Sequence, residues 1–325
     1  MKKNLLIITL LTGSILTTMP ARADYISSVS YKVMTYDLAA FDIPATVGAT
    51  SGWHDSSSVL FITTSSDARD SFFELVVNGL LTGDGVTWET SNPGIGIQYK
   101  AVVSSTYFSP QESTDSPNYR LTLNGSGNTR SSYYHVYYRL VRLLEKVPAG
   151  RITSLPEVTL NTYNPGPDGS AMLSGLILSG IATQPKVAAC TIDAPTEIKL
   201  SPLYGSVLQN GAQNVLQAPQ ITLVNCPGAI SGISYNFAAV YGTHKASNGV
   251  LNTVTGDGYA KNVYVQIQNA DGTAHKVNGS IPVSNYNGSG DYIIPDFKVA
   301  YFIDDANTVT AGKVKTAIEL KVTYN

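Results

Sequence analysis

The sequence predicts an all-β protein built from two β-sandwich domains. Its 325 residues are enough for about two domains. Charged residues make up only 14% of the chain, against about 25% in a typical soluble protein. Gly, Ser, Thr, Asn and Tyr take their place, and this composition favours strands and turns. Short alternating apolar segments between turn residues recur along the chain and are typical of antiparallel sandwiches.

The first 23 residues have the pattern of a secretory signal peptide. Lys2 and Lys3 precede a short apolar stretch at 5–16, and residues 21–23 (ARA) form a small-residue cleavage site. The apolar stretch is far shorter than the ~20 residues that cross a membrane. We therefore expect cleavage after Ala23 rather than a membrane anchor.

Strand-like segments occur in both parts of the chain. In the first part they are 29–35, 59–63, 97–104, 119–123 and 134–144. In the second part they are 198–200, 220–226, 235–241, 262–268, 298–303 and 314–324. Residues 67–81 are the one stretch that could be helical, because its apolar residues recur at near-helical spacing, at Phe72, Leu75, Val76 and Leu80.

A change in composition near residue 184 divides the chain. No arginine follows Arg151, and both tryptophans, Trp53 and Trp88, precede the change. Residues 181–185 (IATQP) form a plausible linker because Pro185 breaks regular structure. We predict one domain at 24–183, the first half, and another at 184–325, the second half.

Cys190 and Cys226 are the only cysteines. In an oxidising compartment such a pair usually forms one disulfide, whereas a metal or redox site needs closer spacing or further ligands. The predicted disulfide would stabilise the second half alone, by roughly 3–4 kcal/mol.

The last strand-like segment has one fully apolar face. Ile318, Leu320, Val322 and Tyr324 alternate with polar residues, and Asn325 follows them. Two interpretations stay open: the last strand of a complete sandwich, or a strand that borders an open groove and accepts a strand from another chain.

The second half contains several distinctive segments: 190–192 (CTI), 224–226 (VNC), 258–267 (GYAKNVYVQI), 297–302 (FKVAYF), 309–314 (VTAGKV) and 322–325 (VTYN). Together they resemble the pilin domain of tip adhesins from chaperone–usher fimbriae. They span about 140 residues, and the penultimate tyrosine is characteristic of pilin subunits. Lys261 and Asn262 depart from the Gly-Val pair of many pilins.

The resemblance implies an incomplete immunoglobulin-like domain that lacks its seventh strand. A periplasmic chaperone would first fill the groove, and the N-terminal extension of the next subunit would replace it at an outer-membrane usher. The residues before Cys190 are continuous with the first half. Such a subunit could accept a strand but not donate one, so it is expected at the fimbrial tip on the cell surface.

The first half resembles the receptor-binding domains of two-domain fimbrial adhesins. The resemblance rests on two short segments, 92–99 (NPGIGIQY) and 147–152 (VPAGRI). It implies an elongated, lectin-like β-sandwich that binds a host surface receptor, a glycan or glycoprotein. The alternative is a structural minor pilin or tip adaptor without receptor binding.

Sugar sites combine an aromatic face with groups that hydrogen-bond to hydroxyls. Trp53, His54 and Asp55 offer both in a loop, although Trp53 could instead cap the core. Tyr133, His135 and Tyr137 could form an exposed aromatic stripe or pack on the outer face of a sheet. Asn118 lies beside a Pro-containing loop and is a further candidate.

Other functional classes find little support in the sequence. The formal charge of −2 excludes a nucleic-acid binder that works through bulk electrostatics. The first half has only His54 and His135, while zinc needs three or four ligands, so no metal or cofactor is predicted. Its acidic residues show no telling pair, and a G-x-S-x-G elbow is absent, so no enzyme is predicted.

Overall fold

The computed structural model describes residues 23–66, 71–105, 108–123, 129–166 and 169–325. Within these ranges the protein is built from strands, with four short 3-10 turns and no α-helix. The prediction of an all-β fold is confirmed. No helix in the described ranges has the length and apolar character of a membrane span. The predicted signal peptide lies outside the described residues, apart from Ala23.

Two sheets form the first half. One has six strands in the order β1-β3-β9-β6-β5 with β7 paired to β6, and the other has the order β2-β11-β10-β4-β8. The strands are β1 (Ala23–Ser30), β2 (Met34–Tyr36), β3 (His54–Ser66), β4 (Phe72–Asn78), β5 (Trp88–Glu89), β6 (Ile95–Ser105), β7 (Phe108–Ser113), β8 (Arg120–Thr122), β9 (Arg130–Arg142), β10 (Glu157–Gly166) and β11 (Gly169–Ile181).

Aromatic and β-branched side chains from both sheets fill the first core. Phe73 of β4 packs edge-on against Phe61 of β3 at 4.8 Å between ring centroids, and its ring is tilted against that of Tyr134 of β9 at 5.0 Å. Along β9, Tyr134, Val136 and Tyr138 are fully buried while the residues between them face outward. This strand has the alternation that its sequence predicts.

The described part of the second half contains three sheets. A five-stranded sheet has the order β13-β21-β18-β17-β16, and two three-stranded sheets have the orders β12-β14-β20 and β19-β15-β22. The strands are β12 (Thr191–Asp193), β13 (Gly211–Gln217), β14 (Thr222–Cys226), β15 (Ile233–Ala239), β16 (Thr243–Lys245), β17 (Val250–Leu251), β18 (Tyr264–Asn269), β19 (Ile281–Pro282), β20 (Gly290–Ile293), β21 (Phe297–Ile303) and β22 (Ile318–Tyr324).

The disulfide ties the start of this half to β14. Cys190 and Cys226 are bonded and buried in the second core, as predicted. The main-chain N–H of Cys190 also donates to the hydroxyl of Tyr324, at 2.6 Å. The penultimate tyrosine therefore anchors the last strand beside the disulfide.

The suggested helix at 67–81 is wrong for its described part. Residues 72–78 form β4, which pairs with β10 on one side and β8 on the other. Phe73, Leu75 and Val77 are its buried residues, at a spacing of two, and Leu80 is exposed. Pairing with two neighbouring strands outweighs the weak helical spacing. Residues 67–70 lie outside the described ranges.

Most predicted strands correspond to strands of the fold, with shifted ends. Residues 29–35 divide between β1 and β2. Residues 198–200 form no strand. Strands β10, β11 and β13 were not predicted, because Gly, Asn and Ser interrupt their apolar pattern.

The buried apolar residues in the described ranges form two clusters, one for each half except that Ala229 of the second half belongs to the first cluster, and a hydrogen-bonded joint connects the two halves. We define the joint as residues 146–150 of the first half with 227–230 and 286–290 of the second. The N–H of Val147 donates to Ser289 Oγ at 2.9 Å, and the N–H of Ser289 donates back to the Val147 carbonyl at 2.8 Å. The N–H of Ala229 donates to the Pro148 carbonyl at 2.9 Å.

Two glycines let the joint close. A Cβ placed on Gly228 would lie 2.2 Å from the carbonyl oxygen of Val147, and one on Gly288 would lie 2.3 Å from it. Gly288 also has a φ of +135°, a conformation that side chains disfavour. The close approach of these backbones therefore depends on glycine.

Candidate functional site

A groove opens along the last strand of the second half. Strand β22 pairs with β15 through seven residues, from Ile318 opposite Ala239 to Tyr324 opposite Ile233. Among the described residues, no strand pairs with the other edge of β22. In an antiparallel ladder every second N–H and C=O of such an edge points outward and stays available for another strand.

The groove has a volume of about 1000 Å³. Ile318 and Leu320 line one side, the extended segment 194–200 lines another, and Phe237, Ile267 and Phe297 lie at its base. Ile318, Leu320, Val322 and Tyr324 are only partly buried, although they all pack against the second core. A continuous apolar surface therefore reaches solvent beside an unpaired strand edge.

A polar and aromatic cluster lies on the outward face of the six-stranded sheet in the first half. We call it the outer-face cluster. Its members are Trp53, Asp55, Gln98, Lys100, Ser104, Glu112, Tyr133, His135, Tyr137 and Arg139. Strand register assembles it, because Asp55 lies opposite Tyr137 in the β3–β9 pair and Lys100 lies opposite Tyr137 in the β6–β9 pair.

Two cations contact the indole ring of Trp53. The Arg139 guanidinium lies 4.3 Å from its centroid and the Lys100 ammonium 5.3 Å. Lys100 also lies 5.1 Å from the ring of Tyr137 and forms an ion pair with Glu112 at 3.2 Å. Such contacts are stronger where water is partly excluded, and they fix the orientation of the ring.

Asp55 and His135 form the other end of the cluster. His135 Nδ1 lies 2.9 Å from Asp55 Oδ2, and its Nε2 lies 3.0 Å from Ser104 Oγ. Burial and the Asp55 carboxylate raise the pKa of the Tyr137 hydroxyl, which therefore keeps its proton at neutral pH. The cluster offers carboxylate, imidazole and hydroxyl groups to a polar ligand.

A chain of hydrogen bonds holds Arg139. Its Nε and one terminal nitrogen donate to Gln98 Oε1 at 2.9 and 2.7 Å. Gln98 donates to Thr87 Oγ1 at 2.8 Å, and Thr87 donates to Asp84 at 2.6 Å. Burial alone would raise the pKa of Asp84, but hydrogen bonds from Thr87, Val86 and Thr82 outweigh it and lower the pKa to about 2.

Comparison with known proteins assigns the half that carries the groove. Residues 180–325 match the family model described as Fimbrial protein. The second half is a fimbrial protein domain. The resemblance that its sequence motifs predicted is confirmed. No curated protein matches the chain at a significant level.

Solved structures of fimbrial subunits are similar to the chain at low identity. The CupB6 tip adhesin from Pseudomonas aeruginosa is 17% identical, with a TM-score of 0.45 over 93% of this chain and 95% of that one. The CsuC–CsuE chaperone–tip complex from Acinetobacter baumannii is 11% identical, with a TM-score of 0.36 over 92% and 99%. A subunit of a chaperone–usher pilus is 20% identical, with a TM-score of 0.31 over 42% and 87%.

The structure separates the residues predicted for the receptor site. Trp53, Asp55, Tyr133, His135 and Tyr137 lie on the same outward face. His54 points the other way, because it lies opposite the buried Tyr138, and its ring contacts Tyr138 and Phe41 at 5.4 and 5.8 Å. With 40–45 and 50–53, it lines a cavity of about 400 Å³ that Trp53 of the outer-face cluster also borders.

Asn118 lies outside the strands that carry the outer-face cluster. It is exposed in the turn between β7 and β8, where its N–H donates to the Asp115 carbonyl at 3.0 Å. Strand β8 belongs to the opposite sheet. Trp88 is buried on β5, as its sequence context predicted, and donates to the Tyr119 hydroxyl at 3.0 Å.

Sequence reasoning missed Lys100 and Arg139. Both alternate with buried residues on predicted strands. This alternation indicates that Lys100 lies on the outward side of β6 and Arg139 on the outward side of β9. What was missing was the β6–β9 register, which places Gln98 opposite Arg139. In the described part of the chain, no three His, Cys, Asp or Glu side chains converge as metal ligands would.

Proposed function

We propose that the chain is the tip adhesin of a chaperone–usher fimbrium. Its fimbrial domain joins the fibre by donor-strand exchange, and its first half binds a host glycan or glycoprotein. Its role is binding and assembly rather than catalysis. The single observation that carries the proposal is the apolar groove beside the unpaired edge of β22.

The groove suits an extended apolar peptide. A donor strand would gain main-chain hydrogen bonds along β22 and bury alternate side chains over Phe237 and Phe297. Burying four or five apolar side chains contributes roughly 5–10 kcal/mol after ordering losses, which is comparable to the stability of a whole domain. A periplasmic chaperone would supply the first donor, and the next subunit would replace it at the usher.

The segment before Cys190 supports a position at the tip. It is held against the first half: the N–H of Ala182 donates to the Tyr36 carbonyl, and that of Lys186 donates to the Phe41 carbonyl, both at 2.9 Å. Strand β1 is likewise paired with β3. Neither segment is free to act as a donor. A subunit that accepts a strand in its groove and donates none would end the fibre on the cell surface.

The first half supports receptor binding rather than a purely structural role. Fibre assembly needs only the fimbrial domain. The first half adds a hydrophobic core of its own and an outward-facing polar cluster. We place the boundary between the two domains at 183/184. A tip adaptor without receptor binding is the alternative.

A glycan array probed with the full chain tests the proposal. The chain would carry a fused donor-strand peptide so that its groove is filled. We expect binding to a limited set of glycans, and at least a tenfold weakening in Trp53→Ala and Asp55→Ala, since each removes a contact worth about 1.4 kcal/mol or more. Circular dichroism would show that both variants stay folded. A chain that binds no glycan would favour the structural adaptor.

A further inference from the structure

Resting on the proposed receptor role, we propose that the outer-face cluster binds an acidic glycan, with Arg139 holding its carboxylate or sulfate group. The first half carries six Arg and three Lys against fourteen acids between 24 and 183. Lys100 and Arg139 both contact Trp53 on this acidic domain. Lys100 is paired with Glu112, so Arg139 is the cation of the two that can receive an anion.

Arg139 has donors to spare. Within the described ranges, it makes two hydrogen bonds to the neutral Gln98 amide and stacks on the face of Trp53. Among the described residues, no carboxylate pairs with it. A guanidinium has five N–H donors in a planar fork, so its remaining N–H groups can bind a carboxylate or sulfate with charge-assisted hydrogen bonds.

Its surroundings position this guanidinium before any ligand arrives. Gln98 is held by Thr87, and Thr87 by the Asp84 carboxylate. Arg139 is also partly buried, and loss of solvent lowers its pKa. A charged group that is already oriented and partly desolvated gives up less entropy and hydration on binding than a mobile surface arginine.

Neighbouring groups suit the rest of a sugar. Lys100 supplies a second cation beside Trp53, and its partner Glu112 is 61% exposed, so it can move away. Asp55, His135 and the protonated Tyr137 lie farther along the same face and can bond to sugar hydroxyls. One end of the cluster thus fits an anion and the other fits neutral hydroxyls.

Three ligands with a common lactose core test the proposal: 3′-sialyllactose, 3′-sulfolactose and lactose. Binding to the full chain with a fused donor-strand peptide would be measured by calorimetry. We expect at least one acidic ligand to bind at least tenfold more tightly than lactose, and the two acidic ligands distinguish a carboxylate from a sulfate. Arg139→Gln should remove that preference.

Arg120→Gln is the matched control. The Arg120 guanidinium also stacks on an aromatic ring, lying 3.5 Å from the centroid of Phe72, but on the outward face of the opposite sheet. We expect it to bind like wild type. Three outcomes would each overturn the proposal. Lactose and both acidic ligands could bind equally, neither acidic ligand could bind, or the Arg139→Gln variant could keep the preference. Array binding to neutral glycans alone would overturn it while leaving the receptor role intact.

Discussion

At the scale of single residues, His275 is the most unusual titratable group. It is only 4% exposed and packs among Tyr235, Phe237 and Phe297 in the fimbrial domain. Its Nδ1 lies 2.8 Å from Asn269 Oδ1, while its Nε2 is buried without a partner in the described structure. A proton on this ring would place a charge in an apolar core.

The fimbrial domain should lose stability below neutral pH because of His275. Burial lowers the pKa of its imidazole, so below about pH 6.5 the unfolded chain binds a proton more readily than the folded one. The contribution is complete above that pH and is lost as the pH falls, by up to about 1.4 kcal/mol per pH unit. Urea unfolding of wild type and His275→Phe between pH 5 and 8 checks this, and equal pH slopes would contradict it.

The Cys190–Cys226 disulfide should stabilise the fimbrial domain alone. It closes a loop with a sequence separation of 36 residues, and removing it costs about 4 kcal/mol in the chain-entropy view. We expect reduction to lower the melting temperature of the fimbrial domain and leave the first half nearly unchanged. Calorimetry with and without reductant measures both transitions. A first-half transition that moves as far as the second would refute the assignment.

At the scale of elements, strand β22 separates two kinds of residue by alternation. Ile318, Leu320, Val322 and Tyr324 face the core and groove, while Glu319 and Lys321 face solvent and form an ion pair with each other at 3.1 Å. Only the first set can meet an incoming strand.

Leu320→Asp should therefore weaken binding of a donor-strand peptide or chaperone by at least tenfold, because it puts a carboxylate into an apolar groove. Lys321→Asp, one position along, is the control and should bind normally. Fluorescence polarisation with a labelled donor peptide measures both. Similar affinities for the two variants would show that the groove does not receive the strand along β22.

At the scale of the whole molecule, the joint makes the two halves one mechanical unit. Val147 is buried in the first core and exchanges hydrogen bonds with Ser289 of the fimbrial domain. Ala229 of the fimbrial domain is buried in that same core. The same loop reaches the last strand, because the N–H of Ser231 donates to the Asn325 carbonyl at 2.7 Å. The orientation of the first half is thus set close to the groove.

Gly228→Ala should open the joint, because its Cβ would lie 2.2 Å from the Val147 carbonyl oxygen. We expect a larger maximum dimension in small-angle X-ray scattering, because the two halves can no longer approach each other at this point. Gly232→Ala is the control, since a Cβ there meets nothing within 4 Å. Scattering curves that coincide for wild type and Gly228→Ala would rule out a joint that depends on this contact.

The local sequence pattern and the two cysteines by themselves determined several strands, the disulfide and the apolar face of the last strand. The alternation of 134–140, the pairing of the only two cysteines and the apolar face of β22 are properties of neighbouring residues or of composition. The motifs around Cys190, Cys226 and Tyr324 also indicate the fimbrial half without any information on tertiary contacts.

Tertiary structure decided what depends on register between distant strands. Residues 72–78 form a strand because they pair with β10, and the β3–β9 register points His54 toward the inner face of the sheet and Asp55 toward the outer face. Tertiary structure also brought Arg139 to Trp53 and made residues 194–200 a wall of the groove. These outcomes depend on hydrogen bonds and burial between segments far apart in sequence, for which a local pattern contains no information.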